Sequence, residues 1–242
     1  EVPIICVGNI YLGGTGKTPL VQEIYNILYS YGKNPAIIKK YHSYLEDEIS
    51  LLENKSKVFS EKSRALGIKK LIENNYDTAI MDDGFQDYAI RKDFSILCFN
   101  EKQWIGNGFL IPAGPLRENL NSINKADCIF INGKKNQNIE DQINKFKKSN
   151  IFYTKYIPRN ISKFYNKKII AFAGIGNPIN FFDFIKNNNL NLVDYKSFPD
   201  HYNFTEIELN KLILDAKNKE AVLLTTEKDY FRINNNFKKN IE

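Results

Sequence analysis

Nothing in this 242-residue sequence stays apolar for the ~18 consecutive residues that a membrane-spanning helix requires; the longest apolar stretches, such as 169–175, have the length of buried strands. Paired cysteines are missing as well. Cys6, Cys98 and Cys128 each stand alone inside an apolar run, which excludes a Cys-x-x-Cys redox pair or zinc site and reads as small core residues of a reduced, cytoplasmic protein. Histidine occurs only at His42, read as a loop residue, and at His201. There is no internal repeat, and no cluster of basic and aromatic residues of the sort that grips nucleic acid. A net charge of +6 and a pI near 9.0 would suit an anionic surface or a phosphorylated ligand. Many of the lysines, however, are mixed with asparagine in 134–150 and 237–240, as on a solvated face.

What is present is the composition of an ordinary globular protein, 43% hydrophobic and 26% charged with a mean hydropathy of -0.41. Its length admits one large α/β domain or two smaller ones. Residues 2–7 form a β-branched run, followed by a glycine-rich turn and by helix-spaced apolar residues over 19–31. Further strands are expected at 36–38, 78–81, 94–99 and 128–131, and a helix over 63–73 carrying Leu66, Ile68, Leu71 and Ile72. Continuous apolar strands alternating with helices require a parallel sheet covered on both faces, because both strand faces are buried. The expected fold class is therefore α/β. A second unit is expected after the connection at 158–162, with a strand at 169–173, a turn at Gly174-Ile175-Gly176 and a last strand at 221–224. This gives a core domain over 1–159 and a smaller α/β domain over 160–242.

The first turn carries the chemistry. Gly13, Gly14 and Gly16 leave room for backbone amides to approach an anion from a helix N-terminus. Lys17 would reach the β- and γ-phosphates of a nucleotide, and Thr18 would coordinate Mg2+. The usual G-x-x-x-x-G-K-[ST] pattern needs glycine at position 11, where Tyr11 stands, so the loop is a compact variant, Gly13-Gly14-Thr15-Gly16-Lys17-Thr18. The strand at 78–81 runs into Asp82 and Asp83, where a phosphate-loop fold keeps acid for Mg2+, directly or through water. If that strand continued, the two carboxylates would face opposite sides, one toward the metal and the other toward the acceptor. These residues point to phosphate and magnesium. They leave kinase, ATPase and nucleotide switch open.

Beyond the loop, Gly8-Asn-Ile-Tyr-Leu-Gly-Gly-Thr-Gly-Lys-Thr-Pro19, Asp82-Asp-Gly-Phe-Gln86, Gly106-Asn-Gly and Pro112-Ala-Gly-Pro-Leu-Arg-Glu118 occur in an order that resembles the tetraacyldisaccharide 4'-kinase family, the lipid A 4'-kinases. Ala171-Phe-Ala-Gly-Ile-Gly-Asn-Pro178, Phe198-Pro-Asp-His201 and Thr225-Thr-Glu-Lys-Asp229 extend the resemblance over nearly the whole chain. It implies a P-loop nucleoside-triphosphate-hydrolase-like core, with the smaller domain closing over the active site. The implied reaction is phosphoryl transfer from ATP, with Mg2+, to the 4'-hydroxyl of an acylated glucosamine disaccharide 1-phosphate, giving lipid IVA in lipid A biosynthesis. The implied place is the cytoplasmic side of a Gram-negative inner membrane, held peripherally, and nucleic acid is no partner.

By the same resemblance, Asp47 of an Asp-Glu pair acts on the acceptor hydroxyl with His201 as its partner. A carboxylate in reach of a weakly nucleophilic sugar hydroxyl can orient it and take its proton, and an imidazole can tune that carboxylate. By themselves, Asp47 reads as a solvated acid and His201 as a capping or surface histidine. Gln86 matches a family residue close to Mg2+ and the phosphates. Arg64 matches an arginine that can hold a phosphate by a bidentate contact. Arg117 and Glu118 would sit near the acceptor, and a nucleotide contact is expected within Thr226, Glu227, Lys228 and Asp229, past the last strand.

The sequence departs from the family pattern at several places. Where members carry Arg-Gly-Tyr-Gly and a longer stretch, this chain has Lys39-Lys40-Tyr41-His42-Ser43-Tyr44-Leu45-Glu46-Asp47-Glu48, and Asp87 replaces a histidine. The family's membrane-associating helix precedes the first strand, whereas this sequence begins at Glu1 beside that strand; weaker membrane association with an intact nucleotide site is the expectation. The competing expectation is a P-loop switch ATPase without a phosphoryl acceptor. Such switches commonly carry a further lysine before the loop glycines, and position 12 is Leu12.

Overall fold

The computed structural model describes residues 2–158 and 160–242, with the side chains of Tyr44 and Asp47 also outside the described residues. It forms two compact units, Glu1–Tyr156 and Ile157–Glu242. The first ends at 156, against the 159 expected from the sequence; of the expected connection, Arg159 lies outside the described residues.

Unit 1 runs β1 (Ile4–Gly8), α1 (Lys17–Ser30), β2 (Pro35–Lys40), α2 (Glu46–Glu53), β3 (Val58–Glu61), α3 (Arg64–Glu73), β4 (Thr78–Asp82), β5 (Phe94–Asn100), β6 (Cys128–Asn132), α4 (Gln137–Asn144) and β7 (Asn150–Thr154). Its strands pair in the order β3-β2-β4-β1-β5-β6-β7, each pair parallel. Alternation along the strands builds two cores. Val7, Ile37, Ile80 and Ile96 pack with Val21 of α1 and Leu52 of α2 on one face. Cys6, Ile38, Met81 and Leu97 pack with Leu71 of α3 and with Ile139 and Ile143 of α4 on the other. Successive residues serve opposite cores, so a strand such as Ala36-Ile37-Ile38 is apolar throughout. This is the parallel α/β architecture expected from the sequence. The polar stretch over 134–150 is not wholly a solvated face: α4 forms inside it, capped by Asn136 and held by two buried isoleucines. The three cysteines are free and buried; burial pushes the thiols of Cys6 and Cys98 up to about 12 and that of Cys128 to about 11, which leaves them inert near neutral pH.

Unit 2 contains β8 (Lys168–Ala173), α5 (Pro178–Asn187), β9 (Asn191–Ser197), α6 (Glu206–Asn218), β10 (Ala221–Thr225), α7 (Glu227–Arg232) and α8 (Asn235–Lys238), with a parallel three-stranded sheet in the order β10-β8-β9. Thr205 and Glu208 form a reciprocal capping box at the start of α6, satisfying backbone amides that a helix N-terminus leaves unpaired. Leu209, Leu212 and Leu223 close its core around Phe172 and Phe198. Among the described residues no helix is long and apolar enough to cross a membrane.

Candidate functional site

The loop between β1 and α1 is shaped by two glycines in the left-handed region, Gly13 at φ 133° and Gly16, the N-cap of α1, at φ 84°. A side chain there would be strained, and the space around a Cβ at Gly14 is open to beyond 4 Å. The turn thereby delivers the amides of the first turn of α1, together with Lys17 and Thr18, to one end of the sheet. Tyr11, which stands where the strict phosphate-loop pattern has glycine, is fully buried. Its ring lies 6.0 Å from that of Phe99 and its hydroxyl accepts from the Asn100 amide at 2.6 Å, so it anchors the loop to β5. Thr15 is buried too, and its hydroxyl accepts from Asn9 Nδ2 at 3.4 Å.

β4 delivers the paired acids. The strand ends at Asp82, and Asp83 turns into the left-handed region at φ 53° while its N–H donates to Val7 O at 2.9 Å. The carboxylates do part, but through this turn and not through a continuing strand as the sequence suggested. Asp83 faces the phosphate loop: Lys17 Nζ lies 3.7 Å from Oδ1, and Arg117 Nη1 donates to both oxygens at 3.2 and 3.0 Å. Burial alone would raise the Asp83 pKa, but Lys17, then Arg117 and Arg64, outweigh it and hold it below the usual carboxylate range. Asp82 is 1% exposed and turns to Lys39 of β2, which also lies 3.2 Å from Glu48 of α2. Burial would lower the Lys39 pKa, but Asp82 and Glu48 outweigh it and raise it, so the ammonium stays charged.

Arg64 opens α3 and grips this turn. Its Nη2 donates to Asp83 O at 2.7 Å, and its Nη1 lies 3.3 Å from Asp87, the residue that replaces the family histidine. Gln86 donates to Asn9 O at 2.9 Å, at the start of the phosphate loop, and to Glu118 at 2.8 Å. Lys17, Arg117 and Arg64 thus converge on Asp83, Asp82 pairs with Lys39, and Gln86 pairs with Glu118. Lys39 is the residue the sequence reading passed over. Its place follows from the register of β2 on β4, which the sequence does not carry.

Glu118 also accepts from Tyr88 at 2.7 Å and from Ser122. Burial would raise its pKa; the hydrogen bonds from Ser122, Tyr88 and Gln86, with Lys125, outweigh it and lower it. A depressed carboxylate contributes stability that is complete above its unfolded value, about 4.3, and is lost as pH falls through the folded value. The unfolding midpoint of wild type should therefore exceed that of Glu118→Gln at pH 6, with the gap closing toward about pH 3. A gap that stays constant over that range would rule out this account of Glu118.

Asp47 lies in the first turn of α2, and its side chain lies outside the described residues. His201 belongs to unit 2, at φ 57°, with its N–H donating to Gly174 O at 3.2 Å. Lys228 Nζ is 3.3 Å from His201 Nε2. Thr226 caps α7, and Asp229, fully buried, receives the Gly174 amide at 3.0 Å and pairs with Arg232. Those two side chains serve the fold of unit 2.

The donor set fits a magnesium ion. Asp82 Oδ1 is buried without a hydrogen-bond partner among the described residues, and the Thr18 hydroxyl stands in the first turn of α1. One or two carboxylates, a hydroxyl and substrate phosphates are how Mg2+ is usually held.

A family model described as tetraacyldisaccharide-1-P 4'-kinase (LpxK) matches residues 1–242. A tetraacyldisaccharide 4'-kinase from Pelagibacter ubique (strain HTCC1062) is 40% identical over 239 residues, covering 97% of this chain and 76% of that protein. One from Rickettsia bellii (strain OSU 85-389) is 38% identical over 247 residues, covering 95% and 76%. Among solved structures, the LpxK of Aquifex aeolicus, crystallised in complex with ATP, is similar over all of this chain and 82% of that one, with a TM-score of 0.73 and 26% identity.

Proposed function

The chain belongs to the tetraacyldisaccharide 4'-kinase family, and from that premise we propose that the network around Lys17 and Asp83 is its donor site and that α2 serves its acceptor. The reaction is transfer of the γ-phosphoryl group of ATP to the 4'-hydroxyl of a tetraacyldisaccharide 1-phosphate, a step of lipid A synthesis. A switch ATPase without an acceptor is not favoured by that membership.

The observation that carries the site assignment is the charge arrangement at the phosphate loop. Lys17 is held near Asp83 at 3.7 Å, and Arg117 doubly hydrogen-bonds the same carboxylate. Such cations stabilise the charge spread over the transferring phosphoryl oxygens, the main protein contribution in phosphoryl transfer. The backbone amides opening α1 would cradle the phosphates of ATP. Thr18, Asp82 and Asp83 would hold Mg2+, which would supply positive charge to offset that of the phosphates. Gln86, tied to Asn9 O and Glu118, fixes the loop relative to the acid turn. On the acceptor side, Asp47 would orient the 4'-hydroxyl and take its proton as that oxygen bonds to the γ-phosphorus and ADP leaves; His201 would tune that carboxylate.

Contact with a lipid surface on the cytoplasmic side of the inner membrane fits the exposed apolar residues beside the loop. Phe109, Leu110 and Ile111 are 62, 47 and 49% exposed, and Leu12 is 50% exposed. The segments that carry them are adjacent: Leu12 N–H donates to Pro115 O at 2.8 Å and Leu116 N–H to Phe109 O at 3.1 Å.

One experiment tests both parts. ATP with radiolabelled γ-phosphate is supplied with tetraacyldisaccharide 1-phosphate in anionic vesicles, and label in the lipid is compared with label in free phosphate. Label should enter the lipid, and the protein should sediment with the vesicles. Acceptor-independent hydrolysis as the sole product would refute the kinase assignment, and protein left wholly in the supernatant would refute the surface contact.

A further inference from the structure

Lys39 is the penultimate residue of β2, and the parallel register that sets Ile37 beside Ile80 brings it level with Asp82, the last residue of β4. Both side chains lie on the face that Ile37 and Ile80 share, the face covered by α1 and α2. Lys39 is 5% exposed. A lysine so buried persists where its charge is met, and this one meets two carboxylates from different elements, Asp82 Oδ2 and Glu48 Oε2. The other oxygen of Asp82, Oδ1, is the buried one without a hydrogen-bond partner among the described residues.

α2 is poorly able to hold itself. It has eight residues, and its N-cap, Leu45, makes no side-chain capping bond. Helices this short draw their order from tertiary contacts. Leu52 packs against the sheet, Ile49 is buried, and Glu48 supplies a charged contact in the first turn, one residue from Asp47.

We propose that Lys39 is a positioning residue that clamps the acid at the end of β4 to the first turn of α2, fixing the Asp82 carboxylate with Oδ1 free and registering Asp47 with the donor site. The clamp joins the donor half of the reaction to the acceptor half. It rests on the reading above that α2 serves the acceptor.

The test is Glu48→Gln, which weakens one arm while Lys39 and Asp82 stay paired. Amide hydrogen exchange should quicken in α2 about tenfold and stay unchanged in β4. kcat should fall about 10-fold, the effect typical of groups that orient a reacting one, while the dissociation constant of ATP stays within about twofold. Lys39→Arg, whose guanidinium can span two carboxylates, should keep kcat within about threefold. Lys39→Met should lose more than either, and if it fails to fold the first two variants still decide. Wild-type exchange in α2 of Glu48→Gln would overturn the clamp, as would equal losses of kcat and ATP affinity. The exchange experiment needs no acceptor, so a mistaken role for Asp47 would appear in Asp47→Ala kinetics and leave the exchange result standing.

Discussion

Lys17→Ala is expected to lower the rate of phosphoryl transfer by at least about 10²-fold, equivalent to roughly 3 kcal/mol or more of transition-state stabilisation. Lys17 is the first residue of α1, directly after the left-handed Gly16, and its ammonium is already held in the acid turn at 3.7 Å from Asp83. Alanine there does two things at once. It removes the cation that would meet the developing phosphoryl charge, and it leaves Asp83 with less to offset its repulsion of the nucleotide. The helix itself should persist, since alanine is the best helix former. Initial rates at saturating ATP and acceptor, with circular dichroism as the folding control, give the answer. A variant retaining more than a tenth of the wild-type rate would remove the phosphate-loop assignment.

Asp47→Ala is expected to lower kcat by about 10²–10⁴-fold, the range for losing a positioned proton acceptor. In the proposed division of roles Asp47 acts on the acceptor and not on the nucleotide, so ATP affinity should hold within about twofold. The split between kcat and ATP binding separates this variant from Lys17→Ala, in which both should suffer. Product formation unchanged in Asp47→Ala would place the base elsewhere. His201→Ala should give a smaller loss in the same assay, because its role is to tune the carboxylate.

The phosphate loop and the parallel core were legible because their causes are local. Glycines at 13, 14 and 16 before Lys17, and apolar strands without alternation, announce a loop-to-helix turn and a sheet covered on both faces. Tyr11 was legible only as a missing glycine. Its actual use depends on the Asn100 amide, 89 residues away. Lys39 was hidden for a similar reason, since its meaning comes from Asp82, 43 residues on, and from a helix that sequence periodicity did not announce. β3 is only four residues long and β9 is largely exposed, so neither carries the apolar run by which most strands were found, and β7, a half-buried edge strand, was missed as well. Asp82 and Asp83 part through a left-handed residue after the strand and not through a continuing strand, a backbone fact that composition does not carry.

The grip of Arg64 on the acid turn has one more implication. Its guanidinium binds the main-chain oxygen of Asp83 at 2.7 Å, and so takes hold of the peptide and not of the acid. The shape of this corner is therefore held through its backbone, while Lys17 and Arg117 lead in setting the charge of Asp83. Replacing Asp83 with asparagine alters what the corner attracts while the grip on its peptide endures, whereas a change at Arg64 disturbs the placement of the whole turn.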